Sequence, residues 1–211
     1  PETITGVQPI SASENLCSEA ECGHSREATQ EEIEALISSF GDAAARCAQA
    51  GFDGVELHGA HGYLLHSFFS PISNHRNDSY GGTLRRRMTF PLLVTEAVRA
   101  AWPTDMPIFY RVSAVDNVSG GISIEDTVAL ATELKKLGVD VVDCSSGGMS
   151  GPATLSTDKL TYGYQVPYSE AIKVGAKTKT MAVGLIIEPK HAEQILLDKQ
   201  ADLVALAREM L

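Results

Sequence analysis

From Thr29 onward the chain alternates between two hydrophobic periods. "TQEEIEALISSFGDAAARCAQAG" places Ile33, Leu36, Ile37, Phe40, Ala44 and Cys47 at helical spacing. Thr29 with Glu32 makes a capping box at its start, and Gly51 marks its end. Short, continuously apolar runs follow: "GVEL" (Gly54–Leu57), "PIFYRV" (Pro107–Val112), "VDVVDC" (Val139–Cys144), "TMAVG" (Thr180–Gly184) and "DLVAL" (Asp202–Leu206). Runs of this length with no polar alternation predict strands buried on both faces. Helical patterns separate most of them. "LRRRMTFPLLVTEAVRAAW" contains Pro91, which predicts a kink or a restart. "SIEDTVALATELKKLG" has Ser123 and Asp126 as a cap pair and Gly138 as its stop, and "EPKHAEQILLD" has Pro189 in its first turn. Residues 1–28 show no sustained period and predict an irregular arm, set apart from a domain over residues 29–211.

Strands alternating with helices predict an α/β fold with a parallel sheet. Polar and glycine residues gather after each strand: His58 and His61, Arg111 and Ser113, Ser145 to Gly148, Gly184, and Arg208. That end of the strands carries the site both in a doubly wound sheet and in a (β/α)8 barrel. No G-x-G-x-x-G follows any strand, which counts against a Rossmann dinucleotide domain. A full barrel takes about 250 residues. With five strands in 211 residues, the barrel reading implies further units before Pro1.

Composition narrows the partners. At 44% apolar and 21% charged residues, the chain has the balance of a globular domain. No apolar run approaches the roughly 20 residues of a membrane span, and no basic-then-apolar leader opens the chain. A net charge of −10 opposes nucleic acid and anionic membranes as main partners. Cys47 falls in a helical pattern and Cys144 at a strand end, contexts that suit free thiols and a reducing, cytoplasmic setting. Cys17, Cys22 and His24 have the spacing of a partial metal site, although a solvated loop explains them as well.

The chain has six histidines, and three of them lie in "VELHGAHGYLLHSFFSP" (Val55–Pro71), with Tyr63 between them. H-x-x-H lacks the i, i+4 spacing of the zinc-protease helix. A metal site would need His66 or Glu56 as a third ligand. The other readings are a catalytic hydrogen-bond pair, or histidines that merely cap a strand.

The stretch H-G-A-H-G-Y-L-L followed by S-P-x-x-N-x-R-x-D-x-Y-G-G resembles the Old Yellow Enzyme family, and within it the bacterial-type NADPH dehydrogenase branch. "FYRVSA", "YGYQVPYSEAI", "MAVGLI" and "ADLVALAREML" agree with it in order. The resemblance runs from about residue 29 to the end. It implies an incomplete FMN-binding (β/α)8 TIM barrel holding about strands 4 to 8, with non-covalent FMN and with NADPH or NADH as hydride donor. The implied substrates are enones, enals and related activated alkenes, and a homo-oligomer is compatible with it. The implied roles follow the motifs. His58 and His61 match the pair that hydrogen-bonds the substrate carbonyl, where negative charge develops as hydride arrives. Gly59 and Ala60 lie between them in the substrate-binding segment. Tyr63 matches the proton donor to the α-carbon. No metal is required, and His66 is read as structural. Arg111 matches the arginine on the flavin's N1–C2 carbonyl edge, with an ion pair to Asp143 as the alternative. Gly184, Ala207 and Arg208 match the phosphate-binding ends of the last two strands.

Three departures qualify the match. Ala207 stands where the family usually has glycine. Gly81-Gly82-Thr83-Leu84-Arg85-Arg86-Arg87 replaces G-G-S-x-E-N-R, and the three arginines are expected on a solvated face. The family's first three βα units and its final helix are expected to lie outside residues 1–211, so the chain reads as part of a longer protein or of an assembly.

Overall fold

The computed structural model describes residues 6–16, 24–149 and 160–211. The stretch read as an irregular arm contains strands β1 (Ile10–Ser11), β2 (Asn15–Leu16) and β3 (His24–Glu27). β1 pairs parallel and β2 antiparallel to β3. Strands this short carry no readable period, so the pattern missed them. His24 lies in β3, whereas Cys17 and Cys22 lie outside the described residues.

Helix α1 (Gln30–Gln49) begins at the predicted cap. Glu32 N–H donates to Thr29 Oγ1 at 3.2 Å, and Thr29 N–H donates to Glu32 Oε2 at 2.9 Å. Arg26 of β3 also donates to Glu32, at 2.8 Å, which ties the arm to the helix. Strand β4 (Val55–Gly59) leads into short helix α2 (Leu64–Phe69). Helix α3 (Leu84–Arg87) then breaks at Met88, and α4 (Thr89–Ala101) restarts with Pro91 in its first turn. A missing N–H costs no helical bond there, so Pro91 produces the expected restart. α1 packs against α4, where Gly41 brings the two backbones together: a Cβ there would lie 3.3 Å from Ala97 O.

The order continues with β5 (Ile108–Ser113), α5 (Ile124–Lys136), β6 (Val141–Ser145), α6 (Val166–Ala176), β7 (Lys179–Ala182), α7 (Pro189–Leu197) and β8 (Leu203–Val204). All five expected runs are strands, each starting or ending within a few residues of its sequence-based bounds. The sheet is parallel throughout, in the order β4-β5-β6-β7-β8. A doubly wound sheet would reverse its strand order at a switch point, and this sheet does not. Consecutive parallel strands with intervening helices form an arc of a (β/α)8 barrel. Ile108, Tyr110 and Val112 of β5 are buried in the main core with Phe68, Phe90, Leu130 and Leu134. Val166, Ala182, Ile186, Ile195 and Ala201 make a second cluster around β7 and β8.

The loop before α3 is anchored by buried Asn74, Arg76 and Tyr80. Asn74 Nδ2 donates to Phe68 O at 2.6 Å and to Tyr80 O at 2.7 Å. Arg76 Nη1 donates to Ala12 O and Ala28 O, holding the arm against the barrel. The expected solvated arginine face is correct for Arg85 and Arg86 but not for Arg87. Arg87 is buried, donating from Nε to Phe69 O at 2.9 Å and from Nη1 to Gly82 O at 2.7 Å. Peptide carbonyls that leave the helical pattern need donors, and three adjacent arginines do not reveal which one supplies them.

Candidate functional site at the C-terminal strand ends

Strand register gathers the polar residues into one row. His58 pairs with Arg111, Arg111 with Asp143, and Asp143 with Met181. Neighbours in a parallel ladder point to the same face, so His58, Arg111 and Asp143 share the face opposite Ile108, Tyr110 and Val112. Gly59 and Ala60 do not join them. A Cβ on Gly59 would run into the Tyr110 ring, and Ala60 is fully buried, so both serve packing behind the histidines.

The turn after β4 presents the rings. His61 adopts φ +58°, a left-handed conformation that costs a non-glycine residue about 1 kcal/mol. It is held by its N–H, which donates to Ser113 Oγ at 3.0 Å, while that hydroxyl donates to Gly147 O at 2.7 Å. The His58 ring centroid lies 5.3 Å from that of His61 and 5.2 Å from that of Tyr63. Tyr63 is largely exposed. Burial, then the charges of Arg111 and His66, lowers the His58 pKa. Burial, then Arg111, His58 and His66, lowers that of His61 to about 4. Both rings are therefore neutral near pH 7.

His66 turns away from this cluster. It is fully buried, its Nδ1 accepts the Gly62 N–H at 2.9 Å, and its Nε2 lies 2.9 Å from Asp116 Oδ1. Accepting at Nδ1 puts the ring hydrogen on Nε2, on the side of Asp116, although neither Nε2 nor Oδ1 completes a hydrogen bond among the described residues. Asp116 also accepts from Ser70 Oγ and the Ile122 N–H. His66 thus fastens the turn that carries His61 and Tyr63 and is not placed as a third metal ligand. Among the described residues no three His, Cys, Asp or Glu side chains converge on one point.

Arg111 lies beside Asp143, the partner named in its ion-pair alternative. Its Nε lies 3.4 Å from Asp143 Oδ2, yet the buried Nε completes no hydrogen bond among the described residues. Burial raises the Asp143 pKa against the pull of Arg111. With 28% of its side chain exposed, Arg111 can still meet an anionic ring edge on the open face.

At the ends of β7 and β8 a cavity of about 130 Å³ is walled by Val183 to Ile187 and Ala205 to Arg208. Gly184 sits at φ +111°, where a side chain would be strained and would crowd Gln165 and Tyr164. Ala207 and exposed Arg208 open a short 3-10 turn, Arg208–Met210. Two backbone loops and one arginine around a small cavity suit a phosphate, and the incompletely bonded Arg111 on the same rim suits the ring that would accompany it. The residues present fit FMN.

A family model described as NADH:flavin oxidoreductase / NADH oxidase matches residues 4–211. The chain belongs to that family. It is 46% identical over 186 residues to an NADPH dehydrogenase of Bacillus velezensis, covering 88% of this chain and 53% of that protein. It is 48% identical over 187 residues to an NADPH dehydrogenase of Clostridium acetobutylicum, covering 88% and 54%. The chain spans about half the length of the curated relatives it matches. Among solved structures it is similar to the old yellow enzyme homologue from Zymomonas mobilis, with a TM-score of 0.79, 25% identity, and 99% and 59% coverage. It is also similar to morphinone reductase in complex with tetrahydroNAD, with a TM-score of 0.75, 26% identity, and 97% and 56% coverage. These likenesses agree with the barrel arc read from strand order.

The sequence pointed to the strand ends but not to the groups that brace them. Ser113 and Ser145 end strands and Ser146 follows one, polar residues without a visible role. Gln165 sits inside a motif, and its only other signal is its place at the N-cap of α6. Asp116 carries no local signal, because its partners Ser70 and His66 lie in another βα unit.

Proposed function

We propose that these residues belong to an FMN-dependent oxidoreductase that takes hydride from NAD(P)H and reduces the activated C=C bond of α,β-unsaturated carbonyl compounds. The observation that carries this reading is the cluster of His58, His61 and Tyr63 on the same strand-end rim as Arg111 and the β7–β8 cavity. Gly184, Ala207 and Arg208 would hold the FMN phosphate, and Arg111 would meet the ring's carbonyl edge. FMN, when bound, supplies the hydride relay between nicotinamide and substrate. His58 and His61, both neutral, donate to the substrate carbonyl oxygen as charge builds there. Tyr63, largely exposed beside His58, gives its phenolic proton to the α-carbon. Free Cys47 and Cys144 support a reducing, cytoplasmic setting. Residues 29–211 act as the barrel unit, and the short strands before them act as an annex.

A second reading has its own support. The chain spans about half of its relatives, and among the described residues β4 and β8 each pair on one side only. On that reading these residues bind FMN only with a partner segment. Titration of the 211-residue chain with FMN, followed by flavin absorbance, separates the two. Saturable binding with a shifted band supports an autonomous site, and no shift supports the second reading. In FMN-loaded protein, His58→Ala with His61→Ala should weaken phenol binding about 100-fold, at about 1.4 kcal/mol per lost donor, and leave flavin content unchanged. Equal loss of flavin would overturn the role given to the pair.

A further inference from the structure

Behind His61 runs a hydrogen-bond chain that the proposed reaction does not use. His61 Nε2 lies 2.7 Å from Ser145 Oγ. Ser145 Oγ lies 3.4 Å from a second acceptor, Gln165 Oε1. That oxygen already takes the Ser146 hydroxyl at 2.7 Å. Gln165 Nε2 donates to Val183 O at 2.9 Å, which fixes the amide so that its oxygen faces the two serines. Ser145, Ser146 and Gln165 are all buried.

The Ser145 hydroxyl has one proton and two acceptors in reach. The contact to Gln165 is at the limit of a hydrogen bond, whereas the contact to His61 is short. Gln165 Oε1 has a lone pair for each serine, so distance decides, and the Ser145 proton goes to His61 Nε2 across the 2.7 Å contact. An imidazole that accepts at Nε2 carries its hydrogen on Nδ1. His61 Nδ1 has no protein hydrogen-bond partner among the described residues. We propose that Ser145, oriented by the Ser146–Gln165 pair, is a positioning residue that locks His61 in the Nδ1–H tautomer, so that the free ring nitrogen is a donor to the substrate carbonyl oxygen.

The inference rests on the donor role proposed for His61. Because burial and neighbouring charges keep this ring neutral, it has a single N–H to place. The opposite tautomer would aim a lone pair at an oxygen that is gaining negative charge. The tautomer therefore decides whether His61 helps or opposes the reduction.

The test labels the 211-residue chain with imidazole-15N histidine and records long-range 1H–15N correlations at neutral pH, with His61 assigned by the loss of its peaks in His61→Gln. Wild type should show the Nδ1–H pattern alone. Ser145→Ala should lose that single pattern and give a mixture, and Ser145→Thr, which keeps the hydroxyl, should restore it. Ser146→Ala should draw the Ser145 proton toward Gln165 and shift His61 toward Nε2–H. The His66 peaks, held by Gly62 and Asp116, should stay in place and report an intact fold. A wild-type Nε2–H pattern, or an unchanged Nδ1–H pattern in Ser145→Ala, overturns the proposal. The readout needs neither flavin nor turnover, so its failure is distinguishable from failure of the proposed reduction, which phenol binding tests separately.

Discussion

At the scale of single residues, the candidate site depends on keeping imidazoles neutral and a phenol accessible. Burial and the Arg111 charge move both histidines in the same direction, and His61 reaches about 4. A histidine whose folded pKa is depressed stays uncharged down to that value, so His61 keeps the same donor at mildly acidic and neutral pH, and His58 is uncharged at neutral pH. Phenol affinity of the FMN-loaded protein should show no step at the ordinary histidine value of about 6.5, and a step there would contradict this placement. The role proposed for Tyr63 makes a different contribution, because a proton donor acts only as the bond forms. In the FMN-loaded protein Tyr63→Phe should lower kcat for enone reduction about 100-fold, the lower range for general-acid catalysis, and leave KM within about twofold. A matching rise in KM would mean that Tyr63 binds substrate rather than protonates it.

At the scale of elements, the turn between β4 and α2 is held from the side by β5 and β6 and from below by α2. Ser113 restrains His61, and His66 restrains Gly62 against Asp116. Burial pushes the Asp116 carboxyl up, but the His66 contact, the Ile122 N–H and the Ser70 hydroxyl outweigh it and hold the group below its ordinary value. A carboxylate with a depressed folded pKa contributes stability that is complete above the unfolded value of about 3.9 and is lost as pH falls through the folded value. Asp116→Asn should therefore cost about 2 kcal/mol at neutral pH, because one amide hydrogen would face a buried donor. It should also flatten the stability loss below about pH 4. Urea denaturation across that range reads both effects. The legibility of elements followed their length. The capping box at Thr29 and the restart at Pro91 are local and were readable. β1 and β2 are two residues each and draw their pairing from β3, so no local period marked them. The burial of Arg87 likewise depends on Phe69 O, across a loop the pattern does not span.

At the scale of the whole molecule, the barrel arc brings groups more than a hundred residues apart onto one rim. The cavity at the β7–β8 ends lies far along the chain from His58, and only parallel strand order puts both at C-terminal strand ends. Arg208→Ala should weaken FMN binding about tenfold, consistent with loss of one exposed charge-assisted contact, while phenol binding to fully loaded protein stays unchanged. Flavin absorbance titration checks the first effect, and loss of phenol binding at saturating FMN would contradict the phosphate role proposed for Arg208. The sequence by itself determined the alternation of strand and helix, the helix caps, and the motifs that place His58, His61, Tyr63, Arg111, Gly184 and Arg208 at or beyond the C-terminal ends of strands. Those signals are local, set by backbone preference and side-chain period over a few residues. Tertiary structure alone decided the consecutive strand order that makes an arc rather than a doubly wound sheet, and the register that aligns His58, Arg111 and Asp143. It also decided the turning of His66 away from the other rings and the serine–glutamine chain behind His61. Each of these is a contact between residues distant along the chain, and no local pattern encodes a distant partner.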